Sequence, residues 1–202
     1  MIRPKYQKQD LQIERKKSLY SGFFSMSKYR LKHKLFAGGW SSAIEREIFD
    51  RGEAAAVLLY DAKANVVVLT EQFRVGAIGQ NSPWIFELVA GMIEPGENPE
   101  AVAIREAQEE TGAIIDSLMP ICQYLVSPGG TNEKLHVFLA LLDSQPVSGI
   151  HGLSEEGEDI LVHKVPTQQA FDMVKNGQIN NAATIIALQW LELNLERLSM
   201  PG

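Results

Sequence analysis

This 202-residue chain is nearly free of sulfur chemistry, because its single cysteine, Cys122, has no partner for an internal disulfide and suits a reducing compartment. Its apolar setting, ICQYLV, marks it as a strand thiol facing a core, not a nucleophile. Basic runs are missing too. With a formal net charge of -6 and no cluster of Lys or Arg, the chain offers no counterion-release footprint, so nucleic acid is excluded as a partner. No stretch approaches 18 consecutive apolar residues, and MIRPKYQKQD at the start has no apolar signal region. These absences predict neither a secretory leader nor a membrane span, and hence a cytoplasmic protein. There is no internal repeat or low-complexity tract. The length suits one ordinary domain with an appendage, burying roughly 70 % of the unfolded surface, so stability requires no disulfide or cofactor.

What the chain does have is GMIEPGENPEAVAIREAQEETGA at 91 to 113. Asn98 followed by Pro99 predicts a helix start, because the Asn side chain accepts from orphan N–H groups and Pro has none to waste. Gly112 predicts the stop. Between them Ala103, Ile104 and Ala107 form an apolar stripe, while Glu106, Glu109 and Glu110 share another face at i, i+3 and i+4. An acidic helix face is by default a solvated one, with Arg105 and Glu109 as an i, i+4 pair. Here like charges at helical spacing oppose helix formation by about a few tenths of a kcal/mol per pair, and a divalent cation reverses that sign. Carboxylate oxygens without His or Cys favour Mg2+ or Mn2+, and such a site suits hydrolysis of a phosphoanhydride. Arg105 is expected to orient a carboxylate such as Glu97.

Along the chain, LQIERKKSLYSG, FFSMSKYRLKHKLF and SSAIEREIF predict an N-terminal antiparallel sheet over residues 1–52, with a turn at Gly38-Gly39. Such a sheet cannot stand alone and is expected to pack on the main domain and on a second subunit. A main domain over 53–202 opens with EAAAVLLYD and NVVVLTEQF around a turn at Asp61 to Asn65. WIFELVAG, ICQYLVSP, KLHVFLALLD and ILVHKV add strands, and VPTQQAFDMVKNG and NNAATIIALQWLELNLERL add helices. Helices on both faces of a mixed sheet make an α/β fold, an α/β/α sandwich.

Gly91, Glu97, Arg105, Glu106, Glu109, Glu110 and Gly112 stand in the register G-x5-E-x7-R-E-U-x-E-E-x-G-U, where U is aliphatic, and the segment resembles a Nudix box. Both U positions hold alanine, Ala107 and Ala113, and Ile114 is expected to fill the second pocket. Together with EQFR at 71 to 74, ELVAGMIE at 87 to 94, SPGGTNE at 127 to 133 and GIHGLSEEGEDI at 149 to 160, nearly the whole chain resembles the bacterial ADP-ribose pyrophosphatases of the Nudix family. Pro128, sixteen residues beyond Gly112, has the spacing that accompanies ADP-ribose preference there.

That resemblance implies Mg2+-dependent cleavage of ADP-ribose to AMP and ribose 5-phosphate by a homodimer that exchanges its N-terminal sheets. It assigns metal binding to the Ala90 carbonyl, Glu106, Glu110 and Glu158, with Glu109 beside them, and makes Glu156 the base or water-orienting group. Phe23 and Arg46 match an adenine sandwich, with Phe24, Glu47 and Arg51 adjacent. Arg74 and Glu133 match groups that meet phosphate and terminal ribose, and Met92, Ser127, Pro128 and Gly129 line the cleft. His33, His136, His151 and His163 match no functional position. A hydrolase of another nucleoside diphosphate sugar, such as GDP-mannose, shares the box. A non-catalytic nucleotide sensor of this fold would be expected to lose box glutamates, which this chain keeps.

Overall fold

The almost unbroken apolar run EAAAVLLY is the key to the architecture of the main unit. In the computed structural model, which describes residues 2–153, 155 and 157–199, these residues form a strand buried on both faces. Ala54, Ala56, Leu58 and Tyr60 enter one core, and Ala55, Val57 and Leu59 enter the other. The chain divides into two compact units, one formed by residues up to Gly52 with Leu125–Glu133, the other by Glu53–Tyr124 with the chain from Lys134 on.

In the first unit β1 (Leu11–Ser21), β2 (Ser25–His33) and β3 (Ile44–Asp50) form an antiparallel sheet in that order. Gly38 and Gly39, both at positive φ, make the predicted turn between the last two. β1 is exposed along its whole length, with Ile13 and Tyr20 among its open side chains. Glu14 accepts from Arg30 at 3.0 Å and Lys32 at 2.8 Å, pairs too exposed to stabilise the sheet much. The loop 125–133, which a division at residue 52 assigns to the second segment, bonds to this one. Phe49 N–H donates to the Gly130 carbonyl at 2.8 Å, and Asn132 Nδ2 donates to Asp50 at 2.7 Å.

The second unit is an eight-stranded mixed sheet comprising β4 (Glu53–Asp61), β5 (Val66–Phe73), β6 (Trp84–Glu87), β7 (Val89–Ile93), β8 (Met119–Leu125), β9 (Lys134–Leu141), β10 (Gly149–His151) and β11 (Ile160–Pro166). β4 and β5 join through the predicted turn, where Asp61 accepts from Lys63 and Ala64 N–H groups at 3.0 and 2.9 Å, and Asn65 has φ 52°. β4 pairs in parallel with β9 along one edge; along the other it pairs with β7 up to Val57 and with β5 from Leu59. β6 pairs with β5, so the chain crosses the resulting fork at Leu88, which is 1 % exposed.

One face of this sheet carries α1 (Pro99–Thr111); the other carries α2 (Thr167–Lys175) and α3 (Ala182–Ser199). The α/β/α sandwich is therefore present, with the antiparallel N-terminal sheet beside it in sequence. No helix among the described residues is long and apolar enough to cross a membrane.

Candidate active site

Helix α1 begins and ends where its punctuation dictates. The Asn98 side chain accepts from Glu100 N–H at 2.7 Å, Pro99 opens the first turn, and Gly112 closes it in the left-handed region at φ 72°. Val102, Ala103 and Ala107 face the sheet in one core with Ala55 and Val89. The alanines at 107 and 113 are fully buried, and small side chains there let the helix lie close over its strands. Ile114 fills no second pocket. It is 67 % exposed, and Ala113 and Ile115 turn inward instead.

Close approach is sharpest at Gly91 on β7, where a Cβ would overlap the carboxylate of Glu106. Glu110, one turn on, is 2 % exposed, and its Oε2 has no hydrogen-bond partner among the described residues. Burial, followed by the charges of Glu106 and Glu158, pushes the Glu110 carboxyl up to about 8, although Arg74 and the Ala90 main-chain N–H oppose the shift. Glu106 is raised as well, by burial first, with Arg105 opposing and Glu109 and Glu158 adding to the rise. An unpartnered buried carboxylate oxygen beside further carboxylates is a costly arrangement without a cation.

The three box glutamates do not all converge. Glu106 and Glu110 turn toward the sheet, whereas Glu109 is ion-paired with Arg105 at 2.9 Å on the outer side. Arg105 also meets Glu106 at 2.9 Å. Its expected partner, Glu97, instead closes the turn before the helix, accepting from Glu94 N–H at 2.8 Å. Among the described residues no three His, Cys, Asp or Glu side chains form a ready-made cation cage.

Around this centre the second unit places Ala90 and Met92 on β7. Arg74, just beyond β5, donates through Nε to Glu87 at 2.6 Å. In the acidic loop, the Glu158 carboxylate accepts from Leu153 N–H at 3.1 Å, and Gly152, at φ 101°, leaves room for the Glu158 Cβ that a side chain would meet at 2.7 Å. Glu156 lies outside the described residues. Glu87 is the neighbour that the sequence reading passes over. Its signal was a lone carboxylate in the apolar run WIFELVAG, where a charge needs a partner.

The remaining residues fall on the first unit. Arg51 lies over the Phe24 ring at 5.1 Å and meets Glu133 at 3.4 Å. Phe24 stands edge-on to Phe49, and Phe23, 90 % exposed, stands edge-on to Phe24. Arg46 and Glu47 are exposed on β3, and Arg46 donates to the Glu45 carbonyl at 2.7 Å. Ser127, Pro128 and Gly129 lie in the 125–133 loop, and Pro128 lines a cleft of about 380 Å³ with Ser27, Tyr29, Ile48, Asp50 and Asn132. His136 and His163 sit in strands, tied to Glu53 and Glu71 at 2.8 and 2.7 Å, as structural histidines do.

The model of the NUDIX domain matches residues 50–188. An ADP-ribose pyrophosphatase from Escherichia coli (strain K12) is 48 % identical over 192 residues, 95 % of this chain and 92 % of the relative. A GDP-mannose pyrophosphatase from Escherichia coli O1:K1 / APEC is 39 % identical over 153 residues, 74 % of this chain and 78 % of the relative. A solved ADP compounds hydrolase shares the fold with a TM-score of 0.70 at 18 % identity, covering 96 % of this chain and all of that one. A family match across most of the sequence, a relative identical at nearly half its positions and a box helix whose carboxylates are packed against the sheet lead to one conclusion: the chain belongs to the Nudix family and is a hydrolase acting on a diphosphate.

Proposed function

We propose that this protein hydrolyses the diphosphate of ADP-ribose to AMP and ribose 5-phosphate with Mg2+, or Mn2+, as cofactor. The 48 % identity to an ADP-ribose pyrophosphatase across 95 % of the chain is the observation that carries the substrate. For the cofactor, the support is the donor set. Among the described residues Glu110 holds a buried carboxylate oxygen without a partner, Glu106 and Glu158 bring further charge to it, and no thiol or imidazole is among the groups that act on it. Glu106, Glu110, Glu158 and the Ala90 carbonyl would hold the ion, with Glu109 behind them. When bound, such an ion screens the diphosphate and acidifies a bound water.

The chain's own groups do the rest. Arg74 meets a phosphate oxygen, and Glu156 on the acidic loop takes the proton from the attacking water, a role open to it because the helix carboxylates are engaged. Glu156→Gln is expected to lower kcat about 100-fold or more with KM little changed. Retention of most turnover at saturating Mg2+ would remove that role. Phe23 and Arg46 stack on adenine, Phe24, Glu47 and Arg51 support them, and Met92, Ser127, Pro128, Gly129 and Glu133 line the sugar and phosphate path.

Two copies are expected to pair through their N-terminal sheets, since β1 leaves its edge and both faces open. Light scattering at micromolar concentration should give twice the 22.4 kDa chain mass, and a stable monomer would refute this pairing. Likeness to a GDP-mannose pyrophosphatase supports a second substrate reading. Turnover of ADP-ribose beside GDP-mannose, with Mg2+ and with EDTA, separates the two. Metal-dependent release of AMP is expected, and preference for GDP-mannose would overturn the adenine assignments.

A further inference from the structure

We propose that Glu87 is a positioning residue that fixes the guanidinium of Arg74 for the diphosphate, an inference that rests on the phosphate role given to Arg74 above. The carboxylate takes the Nε edge of Arg74 at 2.6 Å. Engaging that nitrogen leaves the two terminal nitrogens as a free fork, the edge that grips two phosphate oxygens at once. Arg74 is otherwise loosely held, with a side chain 43 % exposed, whereas the Glu87 side chain is 19 % exposed. The position of Arg74 matters because its charge reaches Glu110 at the heart of the carboxylate cluster.

Glu87 can orient another side chain because its own main chain is immobilised from three directions. It is the last residue before the fork in the sheet. The Phe86 carbonyl accepts from Asn181 Nδ2 at 2.6 Å, and Leu88 N–H donates to Thr184 Oγ1 at 3.1 Å. The Glu87 carbonyl accepts from Thr70 Oγ1 at 3.4 Å. Thr70 and Thr184 are fully buried, and Asn181 in turn accepts from Thr184 N–H at 3.1 Å. The first turn of α3, on the face of the sheet opposite the box helix, thus holds the residue that aims Arg74.

A double-mutant cycle separates aiming from mere stabilisation. Wild type, Glu87→Gln, Arg74→Ala and the double variant would be compared for kcat and KM on ADP-ribose with Mg2+. Calorimetric binding of ADP-ribose to the metal-free proteins supplies a second readout. Glu87→Gln is expected to raise KM and the dissociation constant about tenfold, with a smaller change in kcat. In the Arg74→Ala background it should change neither by more than twofold. Equal losses in both backgrounds, or tighter binding by Glu87→Gln, would overturn the proposal while leaving the role of Arg74 intact. An active wild type with an unaffected Arg74→Ala variant would overturn both. If the wild type turns over GDP-mannose instead, the substrate reading fails, and the same cycle on that sugar still decides Glu87. Should the glutamine variant fold poorly, Glu87→Asp, which keeps the charge but withdraws it by one methylene, enters the cycle in its place.

Discussion

Glu110→Gln is expected to make the metal-free protein more stable while lowering turnover by about 100- to 1000-fold, the scale of losing one preorganised electrostatic group. The sign follows from burial. In the unfolded chain this carboxyl ionises near 4.5, and in the folded protein at about 8. Between those values the folded state keeps a proton that the unfolded state has released, so stability falls as pH rises, and the penalty levels off above about 8. At about 1.4 kcal/mol per pH unit, the full penalty is on the order of a few kcal/mol. A neutral amide of the same shape removes it. Thermal unfolding in EDTA should therefore show a melting temperature about 10 to 20 °C above wild type at pH 9 and no difference at pH 4. Equal or lower stability of the variant at pH 9 would mean that the carboxylate is not strained. Saturating Mg2+ should narrow the difference, because an ion bound only by the folded wild type stabilises it by mass action.

Gly91→Ala is expected to abolish most activity by a different route, by displacing the Glu106 carboxylate of the proposed metal site without unfolding the protein. The added methyl would overlap the Glu106 carboxylate, and no backbone atom is among its nearest neighbours. The long side chain can swing aside, so the melting temperature should stay within a few degrees of wild type. The displaced carboxylate, however, would leave its place beside Glu110. A shift of about 1 Å in such a group costs about 100-fold in rate. The Mg2+ concentration for half-maximal activity should rise in parallel. Wild-type turnover by Gly91→Ala would show that Glu106 does not need this close approach.

Both predictions rest on features of unequal legibility in the sequence. Asn98, Pro99 and Gly112 gave the limits of α1 in advance, because capping is local chemistry. The strands of the main unit were equally plain, since a run such as EAAAVLLY is buried on both sides and has few alternatives. Partner choice was not plain. Arg105 pairs directly with Glu106 and Glu109 on its own helix, while Glu97 accepts from Glu94 N–H in the turn before the helix and reaches Arg105 only through its charge. Ile114 stays exposed because the chain leaves the helix through Gly112 with positive φ, which sends Ala113 inward. The attachment of the 125–133 loop to the N-terminal sheet depends on contacts across more than eighty residues, such as Asn132 with Asp50, which no local pattern announces. The fork that isolates Leu88 is likewise a matter of sheet topology, visible only once β6 and β7 are seen to pair with different strands.

Strand β4 lends alternate side chains to both cores and has partners along both edges. Neither helical layer of this unit can therefore melt alone, since exposing one face of β4 removes support from the other. Whatever α1 captures should protect α2 and α3 from proteolysis and hydrogen exchange as well, although those helices lie on the far side of the sheet. The sheet behaves as a common thermodynamic account in which a ligand gripped on one side is felt as rigidity on the other.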